Sequence, residues 1–355
     1  MRILSLFIFA LLILGCESSE TEQSLSTVAE TVSDAANAVA ASETAEPITV
    51  YSSRAEHLIK PLFDQFTEET GVEVRYITDS EAALIARLEA EAERTPADMF
   101  LTVDAGNLWH AQNLGLLRPV DSATLDINVP KNLKAGDNSW FALSLRARTM
   151  VYSTERTSVE ELDSYESLAS DEWESRLCLR TSKKVYNQSL VASMIAEHGE
   201  EIAEEVVSGW VRNLAVDPLS NDDSAMEAVI AGVCDVALVN TYYFGRLKEA
   251  QPDAPIDIFW ANQNGRGVHV NVSGAGVTRH AKNPDAAIQL LEWLSSEAAQ
   301  GQFAGLNKEF PVNPIVDSVP EVAAWGEFKS DPVAVEIMGQ LQVDAVRLMD
   351  RAGYQ

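Results

Sequence analysis

The feature that most constrains the fold is an alternation. From Ile48 onward, short apolar runs take turns with amphipathic segments. "ITVYSS" reads as a strand. The segment "EHLIKPLFDQFTEETG" then reads as a helix capped by Ser53, with Leu58, Leu62, Phe63 and Phe66 on one face and Gly71 as its stop. "VEVRYI" is a second strand, and "SEAALIARLEAEAERTP" a second helix, capped by Ser80 and ended before Pro96. "ADMFLTV" and "AGNLWHAQNLG" repeat the unit. Repeated strand–helix units imply parallel pairing and an α/β fold.

Two long strands, at 144–152 and 269–277, interrupt the blocks of ordinary units. Strands of that kind can cross from one lobe to another and back, which leaves a central ligand cleft and allows hinge closure. The expected division is lobe 1 at 48–143 plus 275–320, lobe 2 at 144–274, and C-terminal helices at 321–355.

The first residues are of another kind. "MRILSLFIFALLILGC" carries one positive charge and then an apolar run too short to span a bilayer well. Its "ILGC" ending has the lipobox pattern of bacterial lipoproteins. The expectation is a signal peptide at 1–15, lipidation of Cys16, and a periplasmic, lipid-anchored mature protein, with an ordinary signal peptide and an incidental cysteine as the alternative. Residues 17–47 hold no aromatic residue and are rich in Ser, Thr, Glu and Ala, the composition of a flexible tether running from Cys16 to residue 47. The formal charge of −28 excludes nucleic acid as a partner. In an oxidising compartment the two remaining cysteines, Cys178 and Cys234, are expected to form one disulfide, with two buried free thiols as the alternative.

Chemistry concentrates on tyrosines. "VNTYYFGR" places Tyr242 and Tyr243 just past the carboxyl end of a buried strand, where open α/β sheets bind ligands and where a turn would let both phenols face the cleft. Tyr186 follows "CLRTSKKV" directly before a helix, and a Cys178–Cys234 bridge would bring it near the pair. A phenolate is a hard oxygen donor suited to ferric iron, whereas Ca²⁺ and Mg²⁺ prefer carboxylates and Zn²⁺ prefers Cys and His. Asp104 either lines the cleft or caps the helix after it. Asp222 and Asp223 read as helix caps, His57, His110, His198 and His280 as exposed, and His269 as a hydrogen-bonded structural residue.

Taken together, "VNTYYFGRL", "KVYNQSLVASMI", "PADMFLTVDAGNLW" and "NQNGRGVHVNVSGAGV" resemble the ferric-iron-binding proteins of bacterial ABC importers, from about Ile48 to about Gly353. The resemblance implies a two-lobe periplasmic binding protein, monomeric, that passes Fe³⁺ to an ABC permease and its ATPase in the inner membrane. It implies Tyr186, Tyr242 and Tyr243 as metal ligands and Arg246 as an arginine beside the phenolates. Many relatives carry His–Tyr or His–Glu after the first strand. Here Ala55 and Glu56 stand there, so the first position cannot ligate and Glu56 is the candidate donor. A synergistic anion such as carbonate could complete the shell, with Arg54, Arg146 and Arg148 around it. Two competing readings are a same-fold binder of an organic anion or polyamine, and an exported hydrolase using Glu56 or Asp104.

Overall fold

A computed structural model of the chain describes residues 46–355. The expected signal peptide, the lipid site at Cys16 and the tether up to residue 45 lie outside the described residues.

Ile48–Ser52 (β1) leads to Glu56–Thr70 (α1), followed by Val74–Thr78 (β2), Glu81–Glu91 (α2), Met99–Val103 (β3) and Ala105–Asn113 (α3). Ala123–Asn128 (α4) precedes the long strand Phe141–Ser153 (β4). Next come Leu177–Cys178 (β5), Val185–His198 (α5), Glu200–Arg212 (α6), Asp222–Ile230 (α7), Val236–Asn240 (β6), Thr241–Ala250 (α8) and Ile256–Phe259 (β7). Val270–Val277 (β8), Pro284–Ser295 (α9), Glu297–Gly305 (α10), Phe310–Pro311 (β9), Pro320–Ala323 (α11), Val335–Gln340 (α12) and Gln342–Arg351 (α13) complete the described chain.

Local rules explain most boundaries. Leu58, Leu62, Phe63 and Phe66 bury one face of α1. Gly71, at φ 74°, closes that helix by donating its N–H to the Thr67 carbonyl at 2.8 Å. Ser80 caps α2 by accepting from the Ala83 N–H. Ser53 does not cap α1: Ala55 stands at that position with no side-chain bond. The Ser53 hydroxyl instead lies 2.8 Å from the Thr102 hydroxyl, because the end of β1 sits beside β3 and a cross-strand partner competes with the local one.

The strand order is β2-β1-β3-β8-β4-β6-β5, with β7 and β9 also on β4. The expected parallel pairing holds for β1 with β2 and β3 and for β5 with β6. It fails at the centre, where β8 is antiparallel to β3 and β4, and β4 is antiparallel to β6. One strand therefore serves two groups: β4 pairs with β8 and β9 over Phe141–Ala147, then with β6 and β7 over Arg148–Ser153.

The main core contains Phe63, Phe66, Phe100, Trp140 and Trp210, all nearly or fully buried. A second cluster, with Val151, Met226, Val229, Val239 and Phe244, packs beneath α7 and α8. It encloses the Cys178–Cys234 disulfide, whose partners are 56 residues apart. Closing a loop of that length stabilises by about 4 kcal/mol on the chain-entropy account. The bridge holds β5 beside β6, the two strands whose carboxyl ends lead to the tyrosines.

Candidate metal centre

The adjacent tyrosines are explained by a helix, not by the expected turn. Strand β6 ends at Asn240 and α8 starts at Thr241, so Tyr242 and Tyr243 occupy its first turn. Neighbours on a helix are about 100° apart, against 180° on a strand, so both can lean toward one side. Their ring centres are 4.4 Å apart. The Tyr242 hydroxyl donates to the Tyr186 hydroxyl at 3.2 Å, and Asn240 donates to Tyr242 at 3.5 Å. Tyr186, in the first turn of α5, thus meets the pair as expected.

The three tyrosines line one cavity of about 220 Å³, together with Arg54, Ala55, Glu81, Val103, Arg146, Arg246 and Glu309. A hollow of about 760 Å³ lies elsewhere, among Glu200, Glu204, Arg212 and Arg351. Its Glu200 and Glu204 carboxylates are engaged by Arg351, and no phenol lines it, so chemistry and not size picks out the smaller cavity. Among the described residues, no group of three His, Cys, Asp or Glu could hold a metal ion.

Positive charge surrounds the phenols. The guanidinium carbons of Arg146 and Arg180 lie 5.5 and 5.2 Å from the Tyr186 ring centre, and the Lys184 ammonium lies at 5.6 Å. Arg246 faces both Tyr242 and Tyr243, and it donates to the Asn307 side-chain oxygen. Burial pushes the Tyr186 phenol above its ordinary value, against the pull of Arg146. Burial, then Tyr186 and Tyr243, push Tyr242 well above it. Both phenols therefore hold their protons at neutral pH.

The arginines divide. Arg54 donates to Ser273 at 2.7 Å and pairs with Glu309 at 3.0 Å. Burial alone would raise Glu309, but Arg54 and Arg146 outweigh it and hold that carboxyl below its usual range. Arg146 donates to Ser273 at 3.2 Å. Each keeps guanidinium N–H groups with no hydrogen-bond partner among the described residues. Arg148 does not reach the cavity. It pairs with the fully buried Asp222 at 2.9 Å and donates to the Leu238 carbonyl at 2.7 Å. Asp222 also pairs with Arg180 at 3.3 Å, while Asn221 caps α7 in its place. The cap role expected of Asp222 and Asp223 thus falls to Asn221. The ion-pair role of Asp222, and Arg180 itself, are missed in the sequence because their partners are distant along the chain.

Glu56 is also elsewhere. Exposed at the start of α1, it accepts from the Tyr76 hydroxyl at 2.9 Å and is not part of the cavity wall; the carboxylates there are Glu81 and Glu309. His57 and His110 are exposed, His280 is half-buried, and His198 is half-buried beside Glu166 at 2.9 Å. His269 is buried, but neither ring nitrogen has a hydrogen-bond partner among the described residues, contrary to expectation.

Two strand groups joined through one shared strand, with a phenol-lined cavity, define a two-lobe periplasmic binding protein. The chain belongs to the bacterial extracellular solute-binding protein family, whose pattern matches residues 48–305. It is 40% identical over 316 residues to iron uptake protein A1 of Synechocystis sp., covering 87% of this chain and 88% of that one. It is 27% identical over 326 residues to the major ferric iron-binding protein of Neisseria meningitidis, covering 90% and 96%. The Trichodesmium protein IdiA (FutA), solved in complex with iron and citrate ligands, superposes with a TM-score of 0.84 at 42% identity, over 87% of this chain and 100% of that chain. The open conformation of ferric iron-binding protein A from Mannheimia haemolytica gives 0.82 at 33% identity, over 87% and 99%.

Proposed function

We propose that this protein is an extracytoplasmic receptor for Fe³⁺ that delivers the ion to an inner-membrane ABC permease and its ATPase. The observation that carries this reading is the meeting of Tyr186, Tyr242 and Tyr243 at one small cavity ringed by cations. Fe³⁺ has the charge density to displace phenol protons, and three phenolates match its charge of +3. Arg246 and Arg146 favour the ionised phenols. The free N–H groups of Arg54 and Arg146 suit an oxyanion such as carbonate as co-ligand. Arg148 and Glu56 drop out of the ligand set.

In this reading, binding draws lobe 1 (48–143 plus 275–320) toward lobe 2 (144–274), and the permease recognises the closed form. The chain acts as a monomeric carrier and not as an enzyme, held at the periplasmic face by lipid on Cys16. Among the described residues no helix is long and apolar enough to cross a membrane.

The test is a visible spectrum of stripped protein, residues 48 onward, after addition of ferric citrate. A phenolate-to-Fe³⁺ charge-transfer band that weakens in Tyr186→Phe and Tyr242→Phe is the expected result. A colourless protein that retains no iron would overturn the reading.

A further inference from the structure

Asp104 has no part in the proposed ligand set, yet its carboxylate is held from several sides. It is fully buried. Its φ of 76° lies in the left-handed region, which a non-glycine residue keeps only where its surroundings enforce it, and such outliers collect at functional sites. Its carboxylate gathers four elements. Oδ1 accepts from the Gly106 N–H at 2.9 Å, which caps α3. Both oxygens accept from the Ser189 hydroxyl on α5 at 3.1 Å. Oδ2 accepts from the Asn271 side chain on β8 at 2.7 Å, and Arg146 on β4 stands 4.0 Å from it. A helix cap needs only the first of these bonds.

The remaining contacts converge on Tyr186. Ser189 lies one turn beyond it on the same helix face, and Arg146 lies over its ring. We infer that Asp104 is a positioning residue for the metal centre: through Ser189 and Arg146 it sets where the Tyr186 phenol stands relative to Tyr242, and through Asn271 it ties that placement to the long strands. This inference rests on the ferric reading above.

The experiment is a double-mutant cycle on the rate of Fe³⁺ transfer to an excess of chelator. Asp104→Asn and the milder Ser189→Ala are each combined with Tyr186→Phe. Each single variant is expected to speed iron release about tenfold, the scale of one lost hydrogen bond to a charged group. In the Tyr186→Phe background each should add less than about twofold, because the group being positioned is gone. Full additivity, or an unchanged release rate in both single variants, would overturn the proposal. Hydrogen exchange at residues 186–190 of the metal-free protein gives a second arm, in which both variants should lose protection. If wild-type protein showed no charge-transfer band, the ferric reading would fall by itself, and unchanged exchange would then separately sink the role of Asp104.

Discussion

The guanidinium carbon of Arg246 sits 5.2 Å from the ring centre of Tyr242, one turn away on the same helix. Its aim is fixed by Asn307, which arrives from the loop after α10. A cation so placed favours the ionised phenol. Arg246→Leu should therefore raise the pH midpoint for forming the ferric–phenolate band by about one unit, the scale for an opposite charge at this range. Arg246→Lys should recover part of the shift. A spectrophotometric pH titration decides it, and an unmoved midpoint would remove Arg246 from the site's chemistry.

Tyr186 and Tyr242 both hold their protons more firmly than free phenols. Each must give one up to become a ligand, so Fe³⁺ binding should release protons and weaken as pH falls. Titration in weakly buffered solution, with the released acid back-titrated, should find at least two protons per ion after correction for hydrolysis of the metal. Tyr186→Phe should lower that count by one.

Arg148 and Asp222 form a buried pair away from the cavity. Arg148→Met would leave Asp222 its contact with Arg180 and the Asn240 N–H, and no other cation that pairs with it among the described residues. Removing one partner of a buried pair costs about 3–5 kcal/mol. Denaturant unfolding should show a loss on that scale, while carbonate dependence of iron binding stays as in the parent. Loss of the carbonate effect with stability intact would instead put Arg148 back beside the anion.

His269 is held well below its ordinary pKa of 6.5, first by burial and then by Arg266, Arg148 and Arg146. Between its folded value and 6.5 the unfolded chain binds a proton that the folded chain does not. The contribution to stability is thus intact above pH 6.5 and declines as pH falls, with a slope approaching about 1.4 kcal/mol per pH unit. Comparing unfolding free energies of wild type and His269→Gln between pH 7.5 and 5.5 should reveal this slope in the difference. Parallel profiles would show that the ring is not the source.

Much of this molecule is legible along the chain, where the controlling interaction is local. The apolar face of α1, the stop at Gly71 and the cap at Ser80 each depend on residues within one or two turns. The meeting of Tyr186 with Tyr242 could be anticipated because two cysteines and two strand ends mark the same neighbourhood. Legibility ends where a distant partner takes over. Ser53 has the residue type of a cap but finds Thr102 across the sheet. Glu56 has the residue type of a hard metal donor but turns to Tyr76. Arg148 shares its strand and its spacing with Arg146, yet the two guanidiniums end in different environments. The strand changes partners between Ala147 and Arg148, so that only the second arginine meets Asp222.

Asp222 also bears on how such a site can change through descent. One carboxylate neutralises Arg148 in the shared strand and Arg180 beside the tyrosines. A lineage that lost the acid in a single step would strand two buried cations at once. A lineage that lost either arginine would leave the acid half-answered. The three charges therefore depend on one another, and that dependence reaches the cavity through Arg180, whose guanidinium lies at the Tyr186 ring.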